Sequence, residues 1–273
     1  MHQFAASIIV AVSASSVLAT PFATSVVSYD AGSNAAAGYT DASSALGSAE
    51  RFTGEGVFPS GVTPFNPAFG TDELVSVGSG GHLTLGFDQA ITNSASHAHG
   101  IDLIVFSNSG FIDTSWTDSD PNNDGSGVVG NTPALFGVGG EATIEVSSDG
   151  ISWHTAAVTA LDLFPTLGYS DFTDATPFAP GSVESNFTQA IDPSLALSDF
   201  AGLSFSDIVS LYNGSGGGIG IDISSTGLSS ASYVRFTNNS SGAFEIDAVS
   251  AVPAPATLAM LTLGLCASSR RKR

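Results

Sequence analysis

The sequence predicts an all-β fold, a single-domain antiparallel β-sandwich of jelly-roll type between two terminal sorting segments. Short apolar segments recur along the chain, several alternate strictly, and Gly, Ser, Asn, Asp and Pro fill the stretches between them as turn formers. No long amphipathic-helix pattern lies between residues 24 and 252, and no repeat of about 20 to 50 residues suggests a solenoid or propeller. In chain order the strand-like segments are TSVVSY (24–29), ELVSV (73–77), HLTLGF (82–87), GIDLIVF (100–106), ATIEVS (142–147), HTAAVTAL (154–161), DIVSLY (207–212), IGIDIS (219–224), SYVRFTN (232–238) and AFEIDAVSAV (243–252). Leu83, Leu85 and Phe87 share one face of their segment, as do Ile219, Ile221 and Ile223 of theirs. Phe244, Ile246 and Ala248 oppose Glu245 and Asp247. Such alternation marks strands with one face on a core and the other toward water. Short helices are expected around 42–50 and 190–201.

Charge is distributed unevenly. The 273 residues hold 25 Asp and Glu against 6 Lys and Arg, a net charge of −19. Four of the six cations are the last four residues, Arg270, Arg271, Lys272 and Arg273. The body before them sets 25 carboxylates against Arg51 and Arg235 alone, a net charge of −23 without a lysine. Such a body lacks the cations that neutralise phosphates, which excludes nucleic acid as a partner, and it cannot perform lysine chemistry.

Both ends read as addresses. Residues 4–19, FAASIIVAVSASSVLA, form an apolar run rich in small residues and too short to span a bilayer permanently, as expected of a secretory signal peptide over residues 1–23. Ala19, with Val17 before it, and Ala23 are the alternative cleavage positions. The sandwich follows over 24–251. At the other end, Val252-Pro253-Ala254-Pro255-Ala256-Thr257 precedes LAMLTLGLCA and then SSRRKR, a marginal anchor whose basic end stays on the cytoplasmic side. The only cysteine, Cys266, lies in that tail, so no disulfide staples the body.

The tripartite ending over 252–273 resembles the PEP-CTERM sorting signal of exported bacterial surface proteins, with Ala254 where that family usually has Glu. The resemblance implies recognition at Pro253 and Pro255 by an exosortase-like membrane protease, transient inner-membrane anchoring, and delivery to the cell envelope, outer surface or extracellular space. Much of 54–252 also resembles surface proteins of that sorting class, through GEGVFPSGVTPFNPAFGTDELVSVGSGGHLTLGFD, GIDLIVFSNSGF, VSSDGISWH, GGGIGIDIS, SYVRFTN and FEIDAVSAV. The piece Val146–Trp153 is similar to the strand-turn-Trp feature of discoidin-type jelly rolls.

Chemistry-bearing residues are few. Asp120, Asn122 and Asp124 followed by Gly125 give D-x-N-x-D-G, alternating oxygen ligands for Ca2+, and Asp118 adds a fourth. The alternative is a solvated loop. Asp102, Asp222 and Asp247 each interrupt an apolar segment, and Arg235 is the expected partner of Asp247 across a hairpin, a structural ion pair favoured over a catalytic dyad. His97 and His99 would share one strand face, half of a metal site, although incidental loop histidines are the preferred reading; His82 and His154 stay unplaced. Gly214–Gly218 lacks the Lys of a phosphate loop and reads as a flexible hairpin or bulge. Phe111, Trp116, Trp153 and Tyr169 are aromatic candidates for sugar stacking.

No catalytic constellation emerges. The expectation is therefore a non-enzymatic, structural or adhesive surface protein, calcium-stabilised, with exopolysaccharide or other surface proteins as partners. The alternative is a carbohydrate-binding module or glycan hydrolase.

Overall fold

The computed structural model describes residues 19–54, 60–115, 127–171 and 181–253. In them the regular structure is mostly strand, in antiparallel sheets, with one α-helix. The strands are β1 (Ser25–Asp30), β2 (Val75–Val77), β3 (His82–Thr92), β4 (Leu103–Phe106), β5 (Gly110–Phe111), β6 (Leu135–Phe136), β7 (Ala142–Ser147), β8 (His154–Thr159), β9 (Ile219–Ile221), β10 (Ser230–Asn238), β11 (Phe244–Ile246) and β12 (Ala248–Ala251); helix α1 is Phe205–Tyr212. Five strands form one sheet in the order β1-β3-β10-β7-β8, and three form another, β12-β4-β9. Two small ladders, β11-β2 and β5-β6, complete the pairing.

The alternation read from the sequence decides which face of the five-stranded sheet is dry. Leu83, Leu85, Ile144, Val146, Val234 and Phe236 point inward and are fully buried. They share one core cluster with Leu103, Val105, Ile221 and Val249 of the three-stranded sheet. Each such side chain contributes about 1.5–3 kcal/mol by leaving water. The three-stranded sheet is buried on its other face too. Ile104, Phe106 and Ala248 pack there with Phe187, Ala190 and Phe22, which accounts for the unbroken apolar run LIVF of β4 and the wholly buried AVSA of β12, whose Ser250 hydroxyl donates to the Phe187 carbonyl.

The segment DIVSLY, expected as a strand, is the end of α1. Ser204 caps this helix, its hydroxyl accepting from the Asp207 N–H while the Asp207 carboxylate accepts from the Ser204 N–H. Phe205, Ile208 and Tyr212 then fall on one buried side. The short apolar run suits either period, and the reciprocal cap decides for the helix. The expected short helices reduce to one-turn 3-10 segments at Ala42–Ala45 and Leu197–Phe200. Gly214–Gly218 is not a loose hairpin. Gly217 has φ +86° and passes so close to the Pro165 carbonyl that a Cβ would stand 2.4 Å from it, so glycine is required by close approach.

Candidate functional site

Among the described residues the outer face of the five-stranded sheet is open to solvent along much of β1 and β8. Register places Ser28, Thr84, Arg235, Glu145 and Thr155 in one row across β1, β3, β10, β7 and β8. At its centre Arg235 donates to Glu145 Oε2 through Nε at 2.8 Å and Nη2 at 2.7 Å. The guanidinium lies under the Trp153 ring, 4.2 Å from its centroid. Trp153 is held in place by the β7–β8 hairpin. The Asp149 carboxylate accepts from the N–H groups of Ile151 and Ser152 and from the Ser147 hydroxyl, bonds that hold it well below the usual carboxylate range. Gly150 takes φ +74° at the turn, and the Tyr233 ring lies over it and over Gly86. One row away His82 Nε2 sits 3.2 Å from Ser28 Oγ. Together Ser28, His82, Thr84, Glu145, Trp153 and Arg235 line a shallow depression of about 460 Å³.

The second arginine serves packing. Arg51 donates to the carbonyls of Gly168 and Ser185, stacks 4.1 Å from the Phe187 centroid and pairs with Glu184 at 3.3 Å. Burial lowers its pKa against the opposing pull of Glu184.

The predicted Arg235–Asp247 ion pair does not form. A tight hairpin was its premise, but after β10 the chain leaves the sheet: the Asn238 amide, fully buried, donates to the carbonyls of Val77 and Gly242 and directs the following residues onto β2 as β11. Asp247 is therefore buried elsewhere, both its oxygens accepting from the Glu50 N–H at 3.1 and 3.2 Å. Burial, with Glu50 and Glu73 nearby, raises its pKa well above the ordinary value. Glu50, Glu73, Glu245 and Asp162 are raised for the same first reason, burial.

The three strand aspartates do not meet. Asp102 lies at the far end of β4 from Asp247, its oxygens accepting from Ser94, Ile223 and the His97 ring. Asp222 is exposed and caps its own turn at Ser224. His97 is not incidental: its Nδ1 sits 2.8 Å from Asp102 Oδ1 with both side chains buried. His99 is exposed at φ +58° in a 3-10 turn, so the two histidines share no strand face. Nothing in the sequence joined His97 to Asp102 beyond their closeness along the chain.

Asp118, Asp120, Asn122, Asp124 and Trp116 lie outside the described residues. The residues on either side of that stretch are tied together by Asp113, which sequence reading passed over: its carboxylate accepts from the N–H groups of Ser115, Gly127 and Val128. Among the described residues no three His, Cys, Asp or Glu side chains group as metal ligands. Phe111 is core, and Tyr169 is buried with Arg51 beside its ring. Pro253 is exposed just after β12; Pro255, Arg270, Arg271, Lys272 and Arg273 lie outside the described residues. The chain matches no protein-family model and no curated protein.

Proposed function

We propose that this is an exported surface protein, a jelly-roll-like sandwich that binds neutral polysaccharide on the outer face of its five-stranded sheet without acting on it. The depression beside Trp153 carries the reading. The Trp153 ring suits the apolar face of a sugar ring, while Glu145, His82, Ser28 and Thr84 offer the acceptors and donors that sugar hydroxyls need. The charge of Arg235 is matched by Glu145, and the acidic body repels anionic polymers, which selects uncharged ones. Glu145 is the one carboxylate lining the depression among the described residues, whereas glycoside hydrolysis ordinarily needs a pair.

The ends support display on a surface. Phe22 pairs antiparallel with Ser250, and the Ala251 N–H donates to the Pro21 carbonyl, so the segments entering and leaving the body run side by side at one end. The sorting protease and the two terminal signals remain part of the proposal on the strength of their sequence pattern.

Affinity electrophoresis tests the binding reading. The exported protein is expected to be retarded in gels containing a soluble neutral β-glucan and not in gels containing alginate. Trp153→Ala should weaken retardation about fivefold or more while the protein stays folded, since sugar stacking on one ring is worth on the order of a kcal/mol or more. No retardation by neutral glucans would end the reading.

Calcium at Asp118, Asp120, Asn122 and Asp124 is a second part of the proposal, supported by the ligand spacing and by Asp113 closing the base of that stretch. Millimolar calcium is expected to raise the melting temperature over that in chelator; equal values would remove calcium from the account.

A further inference from the structure

We infer that export cuts the chain after Ala19, so that the mature protein begins at Thr20; the inference rests on the export reading above. Both Ala19 and Ala23 satisfy the small-residue rule, and the sequence leaves them open. The fold separates them. Ala19 and Thr20 are exposed, whereas the next three residues are built into the body. The Pro21 carbonyl accepts from the Ala251 N–H at 2.7 Å, and the Ala23 N–H donates to the Val249 carbonyl at 3.1 Å. The Ala23 carbonyl accepts from the Gly47 N–H at 3.0 Å. Residues 21–23 thus lie along β12 on the side away from β4, covering an edge that would otherwise expose backbone donors and acceptors. Ala23 is 1% exposed within the main core, and Phe22 packs against the second cluster with Ile104, Phe106 and Phe187.

Leaders are removed from an extended chain, so the fold does not gate the cut; it distinguishes the products. A cut after Ala23 removes three backbone hydrogen bonds and the Phe22 packing, and leaves a new ammonium on Thr24 beside the core. A cut after Ala19 removes none of these and leaves the ammonium in water. It also leaves the new N-terminus beside the exit of the C-terminal segment, at the end of the body where Val252 donates to the Asp102 carbonyl.

Two measurements test this. Intact mass and N-terminal sequencing of the secreted protein should give Thr20 as the first residue. Separately, forms produced without a leader and beginning at Thr20 or Thr24 should differ in melting temperature, the shorter lower by about 5 °C or more. Secreted protein beginning at Thr24, or equal melting temperatures for the two forms, would overturn the inference. Residues 1–19 retained on protein that never leaves the cell would instead overturn the export reading itself.

Discussion

The outer face of the five-stranded sheet and the carboxylate-rich region around β2, β11 and Asp247 handle charge in opposite ways. On the sheet face one guanidinium is matched by one carboxylate, with an aromatic ring over it, and both stay partly in water. Around Asp247, several carboxyl groups are buried or half-buried with backbone N–H groups and hydroxyls for partners. The body has two arginines, and both are spent on stacks: Arg235 on Trp153, Arg51 on Phe187. Cations here are placed for packing and not to neutralise the acidic interior. The interior carboxyls therefore meet their burial by holding protons more tightly.

The largest break in this contrast should come from Arg51. Arg51→Met removes the guanidinium donor of the Ser185 carbonyl and one of the donors to the Gly168 carbonyl, together with the stack on Phe187, in a largely buried position, at a cost of roughly 2–4 kcal/mol in urea unfolding. A loss below that of Arg235→Met would show that Arg51 does not anchor its segment.

Next comes the acidic region. The raised carboxyls bind protons more tightly folded than unfolded, so their contribution to stability is fully present below the unfolded pKa, about 4, and is lost as pH rises through the higher folded values. The turn aspartates Asp149, Asp171, Asp192 and Asp207 are lowered by hydrogen bonds and act oppositely, losing their contribution as pH falls below about 4. Stability should therefore be greater near pH 5 than near pH 8. Asp247→Asn should stabilise by about 1–2 kcal/mol at pH 8 and flatten that slope. Thermal melts across this range check it, and a profile that rises toward pH 8 would contradict the assignment.

The smallest effect belongs to the sheet face. Arg235→Met should cost about 0.5–1 kcal/mol, because the pair is partly exposed and the stack is modest. The same substitution should loosen Trp153 and weaken glucan retardation more than it weakens the fold.

How much was legible follows from the range of each interaction. The strands of β3, β9, β10 and β11 could be read because alternation is written in adjacent residues and burial of one face enforces it. Helix α1 was misread because six residues of apolar run do not separate the two periods, although Ser204 and Asp207 carried the capping signal three residues apart. Arg235 was rightly singled out as needing a carboxylate, but its partner Glu145 is 90 residues away. Trp153 reads from the sequence as a candidate for sugar stacking without a place; the hairpin cap at Asp149 and the register of β7 with β10 put it on the open face.

The sequence by itself determined the all-β character, the net acidity and the scarcity of cations, since composition and short-range periodicity carry these. Tertiary structure decided which carboxylate met Arg235, which aspartates went dry, and which of two alanines lies inside the body. Each of those depends on strand order and on where the chain changes sheets, and neither is encoded in neighbouring residues.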